Sequence, residues 1–324
     1  MENQIEEMIR LAALAPSGHN TQPWKFVAAD GAIRILPDFS RRLPVVDPDD
    51  HALYISLGCA LENLVIAAGH FGYWSEADCP AENGRTEIRV RLRPSSRTTG
   101  AGSLFAALGK RQTNRRRYDG KPLPAGHLRS LVETARGAGV YALPFTGAEA
   151  VSRLIPYVEE GNRAQFTDPA FVSELLRWVR FSRAEAARTG DGLTAAVMGL
   201  PWAPRRLGEF LLRTFARPAS EARRQAALLR SSGAALLFVA EENRPGYWIE
   251  LGRAFERVAL LATTLGIQHA HVNMPCEVER VRAELGAGLG LGTGHPLLLV
   301  RLGYAPPAAR SPRRPPAAVF SRRA

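Results

Sequence analysis

The segment over residues 15–24, A-P-S-G-H-N-T-Q-P-W, concentrates residue types that could bind a polar ligand. Pro16 and Gly18 shape the backbone, so that nearby peptide amides could face a ligand. Asn20 and Gln22 each carry one amide acceptor and two donors, which suits a planar heterocycle whose edge alternates C=O and N–H groups. On the residues alone, the end of a helix followed by a turn is the simpler interpretation.

A second segment, R-Q-T-N-R-R-R at residues 111–117, carries chemistry of a different kind. Arg111, Thr113 and Arg115 alternate along it, so two guanidinium forks and a hydroxyl could converge on one phosphate group. Taken alone, the same run could equally be a solvated basic surface or a nucleic-acid patch.

The first segment contains the pattern P-S-x-x-N-x-Q-P-W, formed by Pro16, Ser17, Asn20, Gln22, Pro23 and Trp24. This pattern resembles the signature of the nitroreductase family, the FMN-dependent NAD(P)H oxidoreductases. The resemblance implies that the loop of one subunit in a homodimer contacts a flavin held mainly by the other subunit. It also implies that the 111–115 segment grips the FMN phosphate.

The resemblance extends to two segments near the C-terminus. Arg313 and Arg314 match a basic pair that returns to the same phosphate in the family, although Arg310 is close in sequence. Asn273 and Met274 match the family loop whose backbone faces the reactive nitrogen of the flavin. All of these residues are therefore expected to bind the cofactor.

An internal repeat supports a two-part chain. The run I-S-L-G-C-A-L-E at 55–62 aligns with I-E-L-G-R-A-F-E at 249–256, and the offset of 194 residues continues without a gap to Gly72 and Gly266. Glycine at matching positions, Gly58 and Gly252, predicts close contact between two helices. Chance similarity between two apolar helices is the competing interpretation.

We therefore predict an α+β fold with two nitroreductase-like repeats, 1–100 and 101–324, each a mainly antiparallel sheet packed with helices. The chain most resembles the single-chain, tandem-repeat (Acg-type) branch of the superfamily, in which one polypeptide mimics the family homodimer. The first half lacks the phosphate arginines, and the second reads G-A-G-V-Y-A-L-P-F at 137–145 in place of the loop. Because each half lacks what the other keeps, we predict one complete site and one FMN per chain. The chain is predicted to be a monomer, and further self-association is possible.

Apolar patterning predicts the elements that position these segments. The predicted helices cover 3–14, 51–71, 104–109, 124–138 and 247–265, and the predicted strands cover 24–29, 32–36, 87–94, 234–241 and 297–302. Residues 94–103 are the best linker candidate, and 286–294 reads as a glycine-rich loop. A helical insertion over 165–216 carries Met198, Trp202 and Phe210, which could cover a ligand or simply pack on the body.

The composition and charge of the chain bear on which other ligands and partners are possible. Of 42 basic residues 39 are arginine, and the net charge of +11 could attract nucleotides, flavin, NADPH or nucleic acid. Nucleic acid ranks below the others, since no helix-turn-helix, zinc or RNP-like motif is present. Three widely spaced cysteines show no metal-ligand spacing. The acidic N-terminus and the lack of an apolar run approaching about 20 residues predict a cytoplasmic protein without a membrane partner.

No Ser/His/Asp order, H-E-x-x-H motif or carboxylate pair is present, so no protein residue is predicted to be catalytic. Hydride chemistry would belong to FMN, with NADPH or NADH as the electron donor and a nitroaromatic, quinone or related electrophile as the acceptor. The alternative is an FMN storage or sequestration protein, in which the 165–216 insertion covers the flavin and little turnover occurs.

Overall fold

The computed structural model describes residues 2–29, 31–82, 85–95 and 102–322. The predicted 94–103 linker lies mostly outside these residues. The helices are α1 Glu2–Ala12, α2 His51–His70, α3 Gly102–Leu108, α4 Ala125–Thr134, α5 Gly147–Ser152, α6 Ile155–Thr167, α7 Pro169–Trp178, α8 Arg183–Thr189, α9 Ala195–Met198, α10 Arg205–Phe215, α11 Pro218–Arg230, α12 Pro245–Thr264, α13 Met274–Glu277 and α14 Glu279–Gly288.

The strands are β1 Trp24–Ala29, β2 Ala32–Pro37, β3 Tyr73–Asp78, β4 Ala81–Glu82, β5 Arg85–Thr86, β6 Ile88–Pro94, β7 Val140–Thr146, β8 Val179–Arg180, β9 Leu193–Thr194, β10 Ala234–Ala240, β11 Gln268–His271, β12 His295–Gly303 and β13 Phe320–Arg322. They build two main sheets and two short strand pairs. The protein is therefore an α+β fold with two sheets packed against helices.

The first sheet has the order β13-β1-β2-β6-β3. Its strands pair antiparallel, except that β13 joins β1 in parallel with Phe320 opposite Phe26. Ile33 and Ile35 point into the core, whereas Arg34 between them bonds Glu87 on the other face. This period-two alternation is typical of a sheet with one buried face.

The second sheet has the order β11-β12-β10-β7 and is antiparallel throughout. Every residue of β10 is buried, because α12 covers one side of the sheet and α5, α6, α11 and α14 cover the other. A strand covered on both faces requires apolar side chains at every position, which explains the continuous apolar run A-A-L-L-F-V-A.

The two sheets meet through α2 and α12, which share the most extensive helix contact in the described fold. Both helices have 20 residues, and they begin at residues 51 and 245, so the offset of 194 found in the sequence is kept at both ends. Their side chains belong to one hydrophobic core that spans both sheets. This register supports the proposed repeat, whose boundary at residue 100 stays a prediction.

The helix α2 is also long and apolar enough to cross a membrane by length and composition, contrary to the sequence expectation that no such run exists. Of its most apolar stretch, however, 89% is buried inside the fold. That burial is typical of a core helix, because its apolar surface is already covered by protein.

The insertion forms a third, smaller core beside the sheets. In it, Phe171 and Leu175 of α7 and Phe181 after β8 pack together with Leu43 and Val46 of the first half. The insertion therefore contacts the first half of the chain, and it borders the site described next.

Candidate functional site

The loop between α1 and β1 adopts an unusual backbone. His19, Asn20 and Gln22 have φ angles of 46°, 55° and 53°, in the left-handed region that non-glycine residues seldom occupy. The Ser17 hydroxyl accepts a hydrogen bond from the Gln22 N–H at 2.9 Å and closes the turn. Such backbone strain persists only where surrounding contacts hold it, and it concentrates at functional sites.

The side chains of Asn20 and Gln22 supply those contacts. Asn20 Nδ2 donates to the carbonyls of Gly192 and Pro312, both at 3.1 Å. Gln22 Nε2 donates to the Gly190 carbonyl at 2.9 Å, and Gln22 Oε1 accepts from the Arg314 N–H at 2.9 Å. In the structure these amides bind the insertion and the C-terminal tail, and their contact with the edge of a heterocycle stays a prediction.

The basic segment lies in extended conformation beside β11. Thr113 forms a parallel bridge with His269, and the Asn114 N–H donates to the His269 carbonyl at 2.8 Å. Two alternate side chains bind the tail: Asn114 Nδ2 donates to the Pro306 carbonyl, and Gln112 Oε1 accepts from the Ala308 N–H.

Arg111, Thr113 and Arg115 face the opposite side of that extended segment, because side chains alternate along extended backbone. All three line a cavity of about 90 Å³, here called the basic cavity. Arg310 and Arg313 of the tail also line it. The three alternate residues therefore line one space, and their binding of a phosphate stays a prediction.

A larger cavity of about 270 Å³, here called the main cavity, adjoins the basic cavity. Pro16, Ser17, Arg115, Leu193 and His271 line both of them. Ten of the twelve predicted site residues line one or both cavities: Pro16, Ser17, Gly18, Asn20, Arg111, Thr113, Arg115, Asn273, Met274 and Arg313. Gln22 and Arg314 line neither.

The guanidinium of Arg115 has no hydrogen bond or ion pair with any described residue. Burial, and then the charge of Arg301, lower its pKa to about 10. Arg301 is a buried cation that follows the apolar run Leu297–Val300 on strand β12, and its guanidinium carbon lies 4.0 Å from the centroid of the Tyr118 ring. One terminal nitrogen of Arg301, Nη1, has no partner. Sequence reasoning missed this residue, although an arginine inside L-L-L-V-R-L was a usable signal.

Arg111 has one carboxylate partner. Its Nε lies 3.2 Å from Glu256 Oε1 of α12, and both side chains are buried. Burial raises the pKa of Glu256 to about 7, against the opposing effect of Arg111. Arg111 Nη1 is buried without a partner. One carboxylate therefore does not balance the four arginines that line the basic cavity.

Arg313 takes a role that the sequence did not predict. Its guanidinium donates to the carbonyls of Ala13, Leu14 and Ala15, which follow α1. These carbonyls lie just beyond the negative end of the helix dipole, so Arg313 fixes the chain where it leaves α1. Burial, and then Arg111, lower its pKa to about 9. The neighbouring Arg314 donates to the Gln22 and Ala318 carbonyls instead of facing a cavity.

Three histidines beside these arginines are uncharged at neutral pH. Burial, and then Arg115, lower the pKa of His19 to about 4. Burial and the same arginine lower the pKa of His271 to about 3, and the pKa of His269 is also well below its ordinary value because of burial. The sequence predicted Asn273 and Met274 as site residues but none of these three histidines.

Asn273 and Met274 reach the main cavity from the start of α13. Asn273 Oδ1 accepts from the Leu299 N–H at 2.9 Å, which ties α13 to β12. The backbone of Gly161 on α6 lies so close that a Cβ atom there would come within 2.7 Å of the Met274 carbonyl carbon. Packing of α6 therefore fixes this turn.

The helix α6 brings a polar group that sequence reasoning missed. Gln165 Nε2 donates to Glu277 Oε2 at 2.6 Å, and Asn162 is buried with its Oδ1 lacking a partner. Burial raises the pKa of Glu277, against hydrogen bonds from Gln165 and Asn273. Asn162, Gln165 and Glu277 line the main cavity together with the apolar Phe166 and Phe171.

The insertion is fastened to the first half by its 190–192 turn. Asp191 accepts hydrogen bonds from Arg41 and from Arg180, the latter at 2.6 Å. Burial alone would raise the pKa of Asp191, but these bonds outweigh it and the net shift is downward. Glu174 accepts from the backbone N–H groups of Val45 and Val46 at 3.1 and 3.0 Å. The insertion therefore closes one side of the main cavity.

Of the three insertion residues considered as a ligand cover, Met198 lines the main cavity. Trp202 and Phe210 line neither cavity, and Phe210 is largely exposed.

Asp47, Asp49 and His51 bring potential metal-ligand atoms within 4.8 Å of one another. Hydrogen bonds account for this cluster, because Asp47 accepts from the Ala52 and Leu53 N–H groups and so caps α2. His51 Nδ1 lies 2.6 Å from Asp49 and 3.0 Å from Asp47.

Comparison with known proteins gives the following similarities. The model of the "Nitroreductase family" matches residues 2–51. "Putative NAD(P)H nitroreductase Rv3131" of Mycobacterium tuberculosis is 26% identical over 321 residues, covering 96% of this chain and 89% of that protein. "Putative NAD(P)H nitroreductase acg" of the same organism is 23% identical over 327 residues, and the match covers 99% of this chain and 96% of that protein.

Among solved structures, the FMN-dependent nitroreductase NfnB from Mycobacterium smegmatis in complex with NADPH matches with a TM-score of 0.45 and 15% identity. The match covers 67% of this chain and 96% of that one.

Proposed function

We propose that the chain is a member of the nitroreductase family and an FMN-binding oxidoreductase with one flavin site per chain. It uses NADPH or NADH to reduce a nitroaromatic, a quinone or a related electrophile. One observation carries the proposal: the unpartnered guanidinium of Arg115 lies where the basic and main cavities meet at the Pro16–Ser17 turn.

The basic cavity fits a phosphate group. Among the described residues, Arg115 has no hydrogen-bond or ion-pair partner, and Arg111 Nη1 is buried without an acceptor. A phosphate supplies acceptor oxygens and negative charge together, and an arginine fork binds such oxygens with paired, charge-assisted hydrogen bonds. Thr113 adds a hydroxyl to the same lining. The lowered pKa of Arg115 is consistent with a partly buried cation that lacks its anion.

The main cavity fits the rest of the flavin. It offers apolar surface from Phe255 and Met198, the 16–18 backbone on one side, and the start of α13 on another. Bound FMN supplies the hydride chemistry, so the protein needs no catalytic acid or base. The residues of this chain would hold the cofactor, keep it oriented and exclude water.

The arrangement of the segments supports the single-chain interpretation. The loop over residues 15–24 comes from the first half, and Arg111, Thr113 and Arg115 come from the second. The halves pack through α2 and α12 with a common offset of 194 residues. We propose that this contact replaces the subunit interface of a homodimer, so that a cytoplasmic monomer holds one complete site.

A second candidate function is storage or sequestration of FMN with little turnover. The observation that favours it is the closure of the main cavity by the insertion, held by Asp191 and Glu174. A lid that stays closed would keep an electron acceptor away from the flavin.

Anaerobic visible spectroscopy distinguishes these functions. The protein saturated with FMN is mixed with NADPH, and then with a quinone or a nitroaromatic compound. Bleaching of the flavin absorbance followed by its recovery supports the oxidoreductase. An unchanged flavin spectrum supports sequestration, and failure to take up FMN contradicts both proposals.

A further inference from the structure

The outward face of α10 is apolar although it faces solvent. Leu207, Phe210, Leu211 and Phe215 are exposed to 48%, 61%, 38% and 66%. Their spacing of three, one and four residues places them along one side of the helix. Here this row is called the apolar ridge. Scattered apolar residues at a surface are ordinary, but a contiguous row of four marks an interaction site.

The opposite side of α10 is firmly attached to the insertion. Gly208 lies so close to Phe181 that a Cβ atom would come within 2.2 Å of the ring, and Leu212 packs against the insertion core. Arg205 forms ion pairs with Glu185 and with Glu209, the latter at 2.6 Å. The apolar ridge is therefore held outward by a packed helix and is not the product of a loose end.

Basic side chains flank the apolar ridge. Arg206 and Arg213 are exposed and two helical turns apart, so they lie on the same edge of the ridge, and Arg217 follows the end of the helix. None of these three arginines pairs with an acidic residue in the described part of the chain. The nearby acidic residue of the helix, Glu209, is already paired with Arg205.

We propose that α10 docks on the surface of an anionic phospholipid bilayer, with the apolar ridge at the boundary of headgroups and acyl chains. A helix with phenylalanine and leucine on one face and arginine beside them is the arrangement that lies in a membrane interface. The arginines add attraction to the negative surface of the lipid. The net charge of +11 on the whole chain also favours attraction to an anionic membrane surface.

Charge argues against a second copy of the chain as the occupant. A two-fold interface through the apolar ridge would bring the arginines of one copy close to the same arginines of the other. Such like charges repel one another, whereas lipid phosphates neutralise them. The sequence expectation of no membrane partner rested on spanning segments, and the ridge became visible only when the fold defined which helix faces are covered.

Vesicle sedimentation tests the proposal with the full chain. We expect binding to vesicles of phosphatidylcholine mixed with phosphatidylglycerol, weak or no binding to phosphatidylcholine alone, and loss of binding at high salt. Phe210→Ser with Phe215→Ser should reduce binding more than tenfold, since both rings are lost from the interface. Replacing Arg206, Arg213 and Arg217 by glutamine should reduce it about fivefold per charge.

Trp74→Ser is the matched control, because Trp74 is also exposed but lies on β3 of the first sheet. It should bind vesicles as the parent does. Thermal unfolding checks that every variant is folded. Equal vesicle binding by the parent and the double phenylalanine variant would overturn the proposal. So would a dimer in size-exclusion chromatography that the double variant converts to a monomer, because the ridge would then belong to a second copy.

Discussion

The backbone of Gly58 on α2 lies directly against the carbonyl group of Ile249 on α12, so that a Cβ atom at residue 58 would be 2.0 Å from the Ile249 oxygen. The same relationship holds in reverse, because a Cβ atom at Gly252 would be 2.0 Å from the Ile55 oxygen. Each pair is related to the other by the offset of 194 residues. The central helices thus cross in a locally two-fold manner.

This crossing predicts that Gly58→Ala is strongly destabilising. The methyl group would overlap backbone that belongs to another buried helix, and overpacking of this kind costs about 1–3 kcal/mol or more. Denaturant unfolding should therefore show a lower free energy of unfolding. Gly126→Ala on α4 is the control, since no heavy atom lies within 4 Å of its Cβ position. Equal stability of the two variants would mean that the helices are not in contact as described.

The paired glycines show how far the sequence alone could go. An eight-residue match at constant offset predicted both helices and their contact, because glycine in a buried helix has few explanations other than close approach. The strand β13 escaped prediction, since three residues at a sheet edge carry little periodicity and its pairing with β1 depends on residues almost 300 positions away.

Arg115→Ala should weaken FMN binding about tenfold to a hundredfold, because it removes charge-assisted hydrogen bonds worth about 1.5–3 kcal/mol. Flavin fluorescence during titration of the protein into FMN measures the affinity. Arg117→Ala removes an equal charge from an exposed residue that lines neither cavity, so it should have little effect. If the two variants bind FMN equally, the basic cavity is not the phosphate site.

His51 should make stability depend on pH in the alkaline range. Burial alone would lower its pKa, but hydrogen bonds to Asp47 and Asp49 outweigh burial and raise it to about 9 from 6.5. A raised pKa in the folded state means that the stabilisation is complete below pH 6.5 and is lost as the pH rises through 9. The loss is of the order of 3 kcal/mol.

Chemical unfolding across that range checks the expectation for His51. His51→Gln should remove most of the pH dependence, whereas His70→Gln at the exposed end of the same helix should retain it. A parent protein with constant stability over this range would rule out the charged His51 network.

Asp191→Asn should loosen the insertion. The carboxylate accepts from Arg41 and Arg180 and is nearly buried, so its loss leaves both cations poorly paired. Limited proteolysis should cut the insertion faster, and quinone reduction should accelerate if the lid limits access. Since the pKa of Asp191 is lowered, its stabilising effect is present above the unfolded pKa and is lost as the pH falls through the folded one.

The parent insertion should therefore open on acidification, and the Asp191→Asn variant should respond less. Asp78→Asn breaks an ion pair with Arg91 on the outer face of the first sheet and serves as the control. Identical cleavage patterns for the parent and Asp191→Asn would show that the contacts of Asp191 with Arg41 and Arg180 do not hold the insertion in place.

Many residues that line the two cavities could be named from the sequence because their motifs are local. The loop over residues 15–24 and the alternation of Arg111, Thr113 and Arg115 are visible in short stretches. The roles of Asn20, Gln22 and Arg313 were not, since their partners lie in the insertion, the tail and the end of α1. A local sequence motif identifies a polar side chain, but the group that this side chain contacts depends on the whole fold.

The number of FMN molecules bound per chain at saturation tests the central claim most directly. Equilibrium dialysis against FMN, with protein concentration determined by amino-acid analysis, measures it. We expect one FMN per chain, because the 15–24 loop and the 111–115 segment each occur once and meet at one place. A value near two would contradict the single complete site, and a value of zero would contradict the proposed cofactor.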